Sequence, residues 1–233
     1  MANNARSKLI MQARFRSDYP GEFVVVNTIW ENGKRTEQRE WIANPIENQH
    51  ISGRAVCIGS RDSHQSQLGF DYKILQRHRG GLLGTLKVQT YGIGTIAEDM
   101  RLDFAVEIDP AQLQKLIDSK YYENHVVYTT ARNCIQNPGD FYLIPQAPRL
   151  LMPALPVYLA AFDGHTEIFL LGYSKQMQFD NPRWFDNVNE VFQSYLGVKF
   201  YLVGEPTIMP DAWLENANVN TMSYQEFISY CDI

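Results

Sequence analysis

The residues Gly59-Ser60-Arg61-Asp62-Ser63 bring hydroxyls, a guanidinium and a glycine directly behind the β-rich run 53–59. Hydroxyls, backbone N–H groups and arginine are what a protein uses to hold a phosphate or another oxyanion. His64 follows at once, and an imidazole of ordinary acidity can take a proton from a reacting hydroxyl near neutral pH. A second group, Gly172-Tyr173-Ser174-Lys175, ends the run TEIFLL. Arg132, within Thr130–Asn133, ends the strand-like HVVYTT. With Asp109, Pro145-Gln146 and Gly204-Glu205, these are the residues that leave strand-like segments. In an open parallel sheet they gather at one edge, and their chemistry suits a nucleotide diphosphate or nucleotide sugar.

Other reactive patterns fit less well. The loop at residues 59–63 lacks the Lys-Ser/Thr ending of a phosphate-binding P-loop and the three-glycine spacing of a dinucleotide fingerprint. Gly92-Ile93-Gly94-Thr95-Ile96-Ala97 does match a GxGxxA pattern, but the next strand begins near Asp103, too soon for a full crossover helix. Gly80-Gly81, beside Arg77, His78 and Arg79, reads as a basic turn. His125 and His165 stand at the starts of strands, the end away from the expected ligand edge, which points to structural roles. His50 and His78 fall in irregular segments. No histidine pair has metal-ligand spacing and no Asp-x-Asp is present, so an obligatory metal is not expected. A GxSxG elbow is also missing, which argues against an acyl-transfer hydrolase.

The elements that must carry these residues alternate. Residues 22–30 read as a strand with the turn signal Asn32-Gly33 behind it, and residues 34–50 as polar and irregular. Further strands are expected at 53–59, 84–91, 103–108, 125–130, 140–144, 166–172 and 198–203. Asp109-Pro110 supplies an N-cap and an N1 proline for a helix over AQLQKLIDSKYY. Helices at 153–163 and 184–196 complete a helix–strand alternation, the first closing on Asp163-Gly164. The fold class expected is α/β: Rossmann-like, a mostly parallel sheet with helices on both faces, plus an N-terminal β extension. Residues 1–52 are assigned to that extension, as a hairpin or edge, and 53–233 to the nucleotide-sugar-binding body.

The chain has 233 residues, enough for one large α/β domain or two small ones. Its net charge of −5 does not suggest a general nucleic-acid binder, although a local basic patch is compatible with it. No apolar run reaches the roughly 18 residues of a membrane span, and Met1–Arg6 lacks a signal-peptide core. Cys57, Cys134 and Cys231 are far apart and outside metal spacing, as expected of reduced thiols in a cytoplasmic protein.

A helix with a glycine-containing cap followed by TEIFLLGYS resembles the EIYLLGxD segment of bacterial sialyltransferases and of related phage and motility-associated glycosyltransferase-like proteins. RAVCIGS stands where that family has its nucleotide-phosphate loop, and DFAVEIDP looks like another of its strand ends. The resemblance covers roughly residues 53–205. The chain departs from it with Gly59-Ser60-Arg61-Asp62-Ser63 in place of Gly-x-Gly-Pro-Ser and with Gly-Tyr-Ser where Gly-x-Asp is usual. In setting, the chain is also similar to phage enzymes that glycosylate hydroxymethylated DNA bases.

The resemblance implies a glycosyltransferase with a nucleotide-sugar donor, a UDP-sugar before a CMP-sugar, and no obligatory metal. Ser60, Arg61 and Ser63 would hold the phosphates, with Gly59 and Asp62 in the same loop. Arg132 would neutralise the departing diphosphate. His64 or Asp180 would take the proton of the acceptor hydroxyl, and Gly172, Tyr173 and Ser174 would orient donor or base. The acceptor would be a glycan or a modified base in DNA, and the location the cytoplasm, that of the host if the chain is phage-encoded. Two other classes remain open: a non-catalytic nucleotide-binding or interaction protein on the same sheet, and a dehydrogenase-like enzyme using Gly92 and Gly94.

Overall fold

The computed structural model describes residues 6–12, 22–31, 33–42, 53–59, 88–97, 101–145, 149–175 and 181–232. In chain order the first strands are β1 (Arg6–Gln12), β2 (Glu22–Glu31) and β3 (Lys34–Ile42). β4 (Arg54–Ile58), β5 (Gln89–Ile93), the single turn α1 (Gly94–Ala97) and β6 (Phe104–Val106) follow. Next come α2 (Pro110–Asp118), β7 (Val126–Thr129), α3 (Ala131–Gln136) and β8 (Tyr142–Leu143). The C-terminal part holds α4 (Ala154–Phe162), β9 (Glu167–Leu171), α5 (Trp184–Ser194) and β10 (Lys199–Val203). It closes with α6 (Asp211–Leu214), β11 (Val219–Met222) and α7 (Tyr224–Cys231).

The chain divides into two compact units: Met1–Ile46 with Glu107–Pro148, and Glu47–Val106 with Arg149–Ile233. The N-terminal strands thus share a unit with residues 107–148.

In the larger unit the strands run in the order β11-β10-β9-β4-β5-β6, every neighbouring pair parallel. Counted along this unit's own chain, that is the order six-five-four-one-two-three of a doubly wound Rossmann-like sheet. Strands buried on both faces read as unbroken apolar runs, and Ala55, Val56, Cys57 and Ile58 of β4 are all fully buried. Parallel neighbours in register share a face, so the contacts identify what covers each side. Cys57 pairs with Leu170 and donates to the carbonyl of Pro156 in α4, while Phe200 packs on Phe192 of α5. The alternate residues Phe169 and Tyr201 stack on each other and meet Phe227 and Tyr230 of α7. Helices α4 and α5 therefore cover one face and α7 the other, giving the α/β Rossmann-like architecture.

In the smaller unit β1, β2 and β3 form an antiparallel meander, and β7 and β8 a short parallel pair. Residues 34–42 are a full strand rather than the irregular segment their polarity suggests. Every residue of β3 pairs with β2 across a two-residue Asn-Gly connection, with Gly33 at φ +75°. That turn sets the register without help from apolar alternation. Helix α3 packs on β1. Helix α2 begins where Asp109-Pro110 predicts, with the Asp109 carboxylate accepting from the N–H groups of Ala111 and Gln112.

Candidate functional site

The two central strands of the larger sheet, β4 and β9, are its first and fourth in chain order, so the winding reverses between them. At such a reversal the connections leave toward opposite faces and open a crevice outside the carboxyl ends of the strands. Ile58 pairs with Leu171, and Leu171 with Val203, so the three strands end level. Gly59 N–H donates to the Leu171 carbonyl at 2.9 Å, extending the ladder by one step before the chain turns away. β9 exits through Gly172 at φ +78° and β10 through Gly204 at φ +141°, conformations that favour glycine. Gly59, Gly172 and Gly204 thus line up at one edge. Ser60, Arg61, Asp62, Ser63 and His64, which continue the chain from Gly59, lie outside the described residues, as does Asp180.

Beyond Gly172 the structure gives each residue a distinct place. Tyr173 and Ser174 are fully buried. The Tyr173 hydroxyl donates to the Pro153 carbonyl at 3.0 Å, tying the β9 exit to the start of α4. Burial pushes the pKa of the Tyr173 phenol well above its usual value, so it stays protonated and serves as a neutral donor. Lys175 is exposed, donates its N–H to the Ile208 carbonyl, and pairs through Nζ with Asp211 at 3.0 Å.

The smaller unit holds its own polar strand-end group. The exposed Arg132 belongs to this unit, on α3, whose N-cap Thr130 accepts from the Asn133 N–H at 3.4 Å. The buried Asn133 side chain donates to Thr129 Oγ1 at 2.8 Å and to the Ile108 carbonyl at 3.2 Å. Glu107 follows β6, bonds through its N–H to the Tyr128 carbonyl, and is buried. Its Oε1 accepts from the Asp109 N–H at 2.9 Å. Burial raises this carboxyl to about 7 against the opposing pull of the Asp109 and Ile108 N–H groups. The Asp109 charge adds to the rise, and Lys115 opposes it. Glu107 is not among the site residues expected from sequence, because it falls inside the strand expected at 103–108. The available signal was an acidic residue interrupting Phe104-Ala105-Val106 just ahead of the Asp-Pro helix start.

Two other polar groups in the larger unit hold the fold. The Tyr91 hydroxyl bonds to Asp163 Oδ2 at 2.5 Å and meets His165 Nε2 at 3.0 Å, all three buried. They pin the end of α4 to the middle of β5. Arg54 and Glu167, opposite each other on β4 and β9, bond at 2.8 Å. Tyr230 donates to the other Glu167 oxygen at 2.5 Å, with Arg54 4.7 Å from its ring centroid. Burial opposes ionisation of Glu167, but the bonds from Tyr230 and Arg54 outweigh it and hold the carboxyl below its ordinary value.

The GxGxxA match has a packing explanation. Gly92 lies inside β5, where a Cβ would come within 2.9 Å of Leu102 Cδ1. β5 is the second strand of the sheet, whereas a dinucleotide fingerprint belongs to the turn after the first. Among the described residues, no group of three or more His, Cys, Asp or Glu is placed to hold a metal ion. Nor, among them, is any helix long and apolar enough to cross a membrane. No protein-family model, curated protein or solved structure matches this chain. What the fold defines is a class, a doubly wound Rossmann-like α/β protein whose winding reverses between β4 and β9, the strands that end on Gly59 and Gly172.

Proposed function

We propose that this protein binds a nucleotide sugar at the carboxyl edge of its larger sheet and transfers the sugar to a hydroxyl acceptor, a glycan or a hydroxymethylated DNA base. The observation that carries the donor half is the adjacency of the first and fourth parallel strands, β4 and β9, because ligands of doubly wound sheets bind at that reversal. The loop beginning at Gly59 has the hydroxyls and the arginine that a diphosphate needs, in Ser60, Arg61 and Ser63. Arg132 is the candidate for the charge of the leaving diphosphate, and His64 and Asp180 are the candidates for the acceptor's proton. Transfer without an obligatory metal and a preference for UDP-sugars belong to the same reading.

A thermal-shift panel of UDP-sugars, CMP-sugars, free nucleotides and NAD tests it. A ligand at about 100 times its Kd stabilises by about 2.7 kcal/mol, a shift of several degrees for a chain of this length. Arg61→Ala is expected to weaken nucleotide-sugar binding by roughly 1.5–3 kcal/mol, the range for charge-assisted hydrogen bonds, without unfolding the protein. Unchanged affinity would remove the loop from the site. A second reading, nucleotide binding without transfer, is supported by the burial of Tyr173 and Ser174. Nucleotide binding with no release of UDP from any UDP-sugar would favour it.

A further inference from the structure

We propose that one face of the β1-β2-β3 meander binds single-stranded nucleic acid, with its cations on the phosphates and its two tryptophans stacked on bases. The surface lies wholly within the smaller unit and does not depend on the sugar-transfer reading.

Register is the starting point. Residues directly opposite in an antiparallel pair share a face, and the face alternates along each strand. Lys8, Val26 and Arg39 therefore form one row across the three strands. Arg6, Thr28 and Glu37 form the next row, and Trp30 with Arg35 the row beside the turn. On the other side of the Lys8 row stand Ile10, Val24 and Trp41. Four of the five Lys and Arg residues of these strands, and both of their tryptophans, thus fall on one face. The opposite face takes Leu9, Phe23, Val25 and Ile29, and Lys34 alone among the cations.

The chain as a whole carries −5, so this band of cations is a local departure, and an anionic partner is what it complements. Near the turn, the side chains of Arg35 and Glu37 are 59% and 40% exposed and pair at 2.8 Å. A pair so exposed is worth little, and a phosphate can take the place of Glu37 on Arg35. Glu22, the other acid of this face, stands at the far end of β2. Val26 is buried at the centre; a valine between two long side chains is covered by their stems on a solvated face too.

The tryptophans decide which polyanion fits. Trp41 is opposite Val24, and from Val24 to Trp30 the cationic band runs along β2 for about 20 Å, with a ring at each end. Rings beside a cationic track suit a strand with unpaired bases, because every base offers a face to stack on. A duplex or a sulfated glycan would engage the cations and leave the rings idle.

The test follows fluorescence anisotropy of labelled oligo-dT and oligo-U of about 12 nucleotides, within the site sizes of single-strand binders, on addition of the full chain. A duplex of the same length runs beside them. The expected result is binding of a single strand in preference to the duplex, weakening steeply between roughly 50 and 200 mM salt. The ratio of the dT and U affinities assigns DNA or RNA. Arg35→Ala and Arg39→Ala should each flatten the slope of log K against log salt by about 0.7. Trp30→Ala should weaken binding roughly 5- to 150-fold, and Trp30→Phe, which keeps a ring to stack, should recover part of it. Lys34→Ala, on the opposite face, should change neither slope nor affinity, and circular dichroism checks each fold. No binding of either strand at roughly 50 mM salt, or a duplex bound as tightly, overturns the inference. Wild-type affinity in a folded Trp30→Ala variant overturns it as well, and so does a loss in Lys34→Ala equal to that in Arg35→Ala.

Discussion

At the scale of single residues, the buried titratable groups divide by whether they have partners, and that division makes their behaviour predictable. Glu107 is raised from 4.5 to about 7 by burial. A carboxyl with a raised folded-state pKa contributes stability that is fully present below its unfolded value and is lost as pH rises through the folded value. The window is therefore pH 4.5 to 7, and the shift corresponds to roughly 3 kcal/mol. Glu107→Gln should flatten that part of the stability curve and make the variant more stable than wild type at pH 8. Urea denaturation at pH 5 and pH 8 measures this, and equal pH dependence in the two proteins would refute it. Tyr91 behaves in the opposite sense. Tyr91→Phe removes the 2.5 Å bond to a buried Asp163 and the 3.0 Å contact with His165, so a cost of roughly 1–3 kcal/mol is expected from chemical denaturation at pH 7.

At the scale of elements, the helix that closes the chain depends on local and distant groups in equal measure. Ser223 and Glu226 form a capping box at the start of α7, with Ser223 Oγ accepting from the Glu226 N–H and the Glu226 carboxylate accepting from the Ser223 N–H. Ser223→Ala should cost about 1 kcal/mol. At the other end Tyr230 hooks onto Glu167, so Tyr230→Phe should cost a similar amount and let the Glu167 carboxyl rise toward its ordinary value. Because Glu167 is held below its ordinary value in the folded protein, its contribution is present above that value and fades as pH falls. Wild type and Tyr230→Phe should therefore converge in stability at low pH; a gap that stays constant from pH 7 to pH 3 would refute the coupling. α2 and β9 were legible because their signals are local: an Asp-Pro start, and an apolar run after a glycine cap. β3 and the turn α1 were not, since a polar strand is specified by its partner across a tight turn, and Gly94-Thr95-Ile96-Ala97 carries no cap or periodicity of its own.

At the scale of the whole molecule, the proposed transfer without an obligatory metal is open to a direct test. Sugar transfer, assayed by UDP release, should survive excess EDTA; loss of activity restored by Mg²⁺ or Mn²⁺ would show ligands assembled by the fold. The sequence by itself determined that the sheet is α/β and mostly parallel, because helix-period and strand-period segments alternate and runs such as AVCI and IFLL are unbroken apolar. It also determined that Gly59 and Gly172 end strands, because glycines close those two apolar runs. Tertiary structure alone decided that β4 and β9 are neighbours, with β5 and β6 on one side and β10 and β11 on the other. Strand order is a choice among distant pairings that leave the same local pattern, so no window of sequence encodes it. The burial of Glu107 was likewise set by distant packing. The same Glu beside Asp109 would be an ordinary exposed carboxylate until Tyr128, on a strand some twenty residues away in the chain, paired with its backbone. Environment, rather than residue type, is what moves a carboxyl to neutrality.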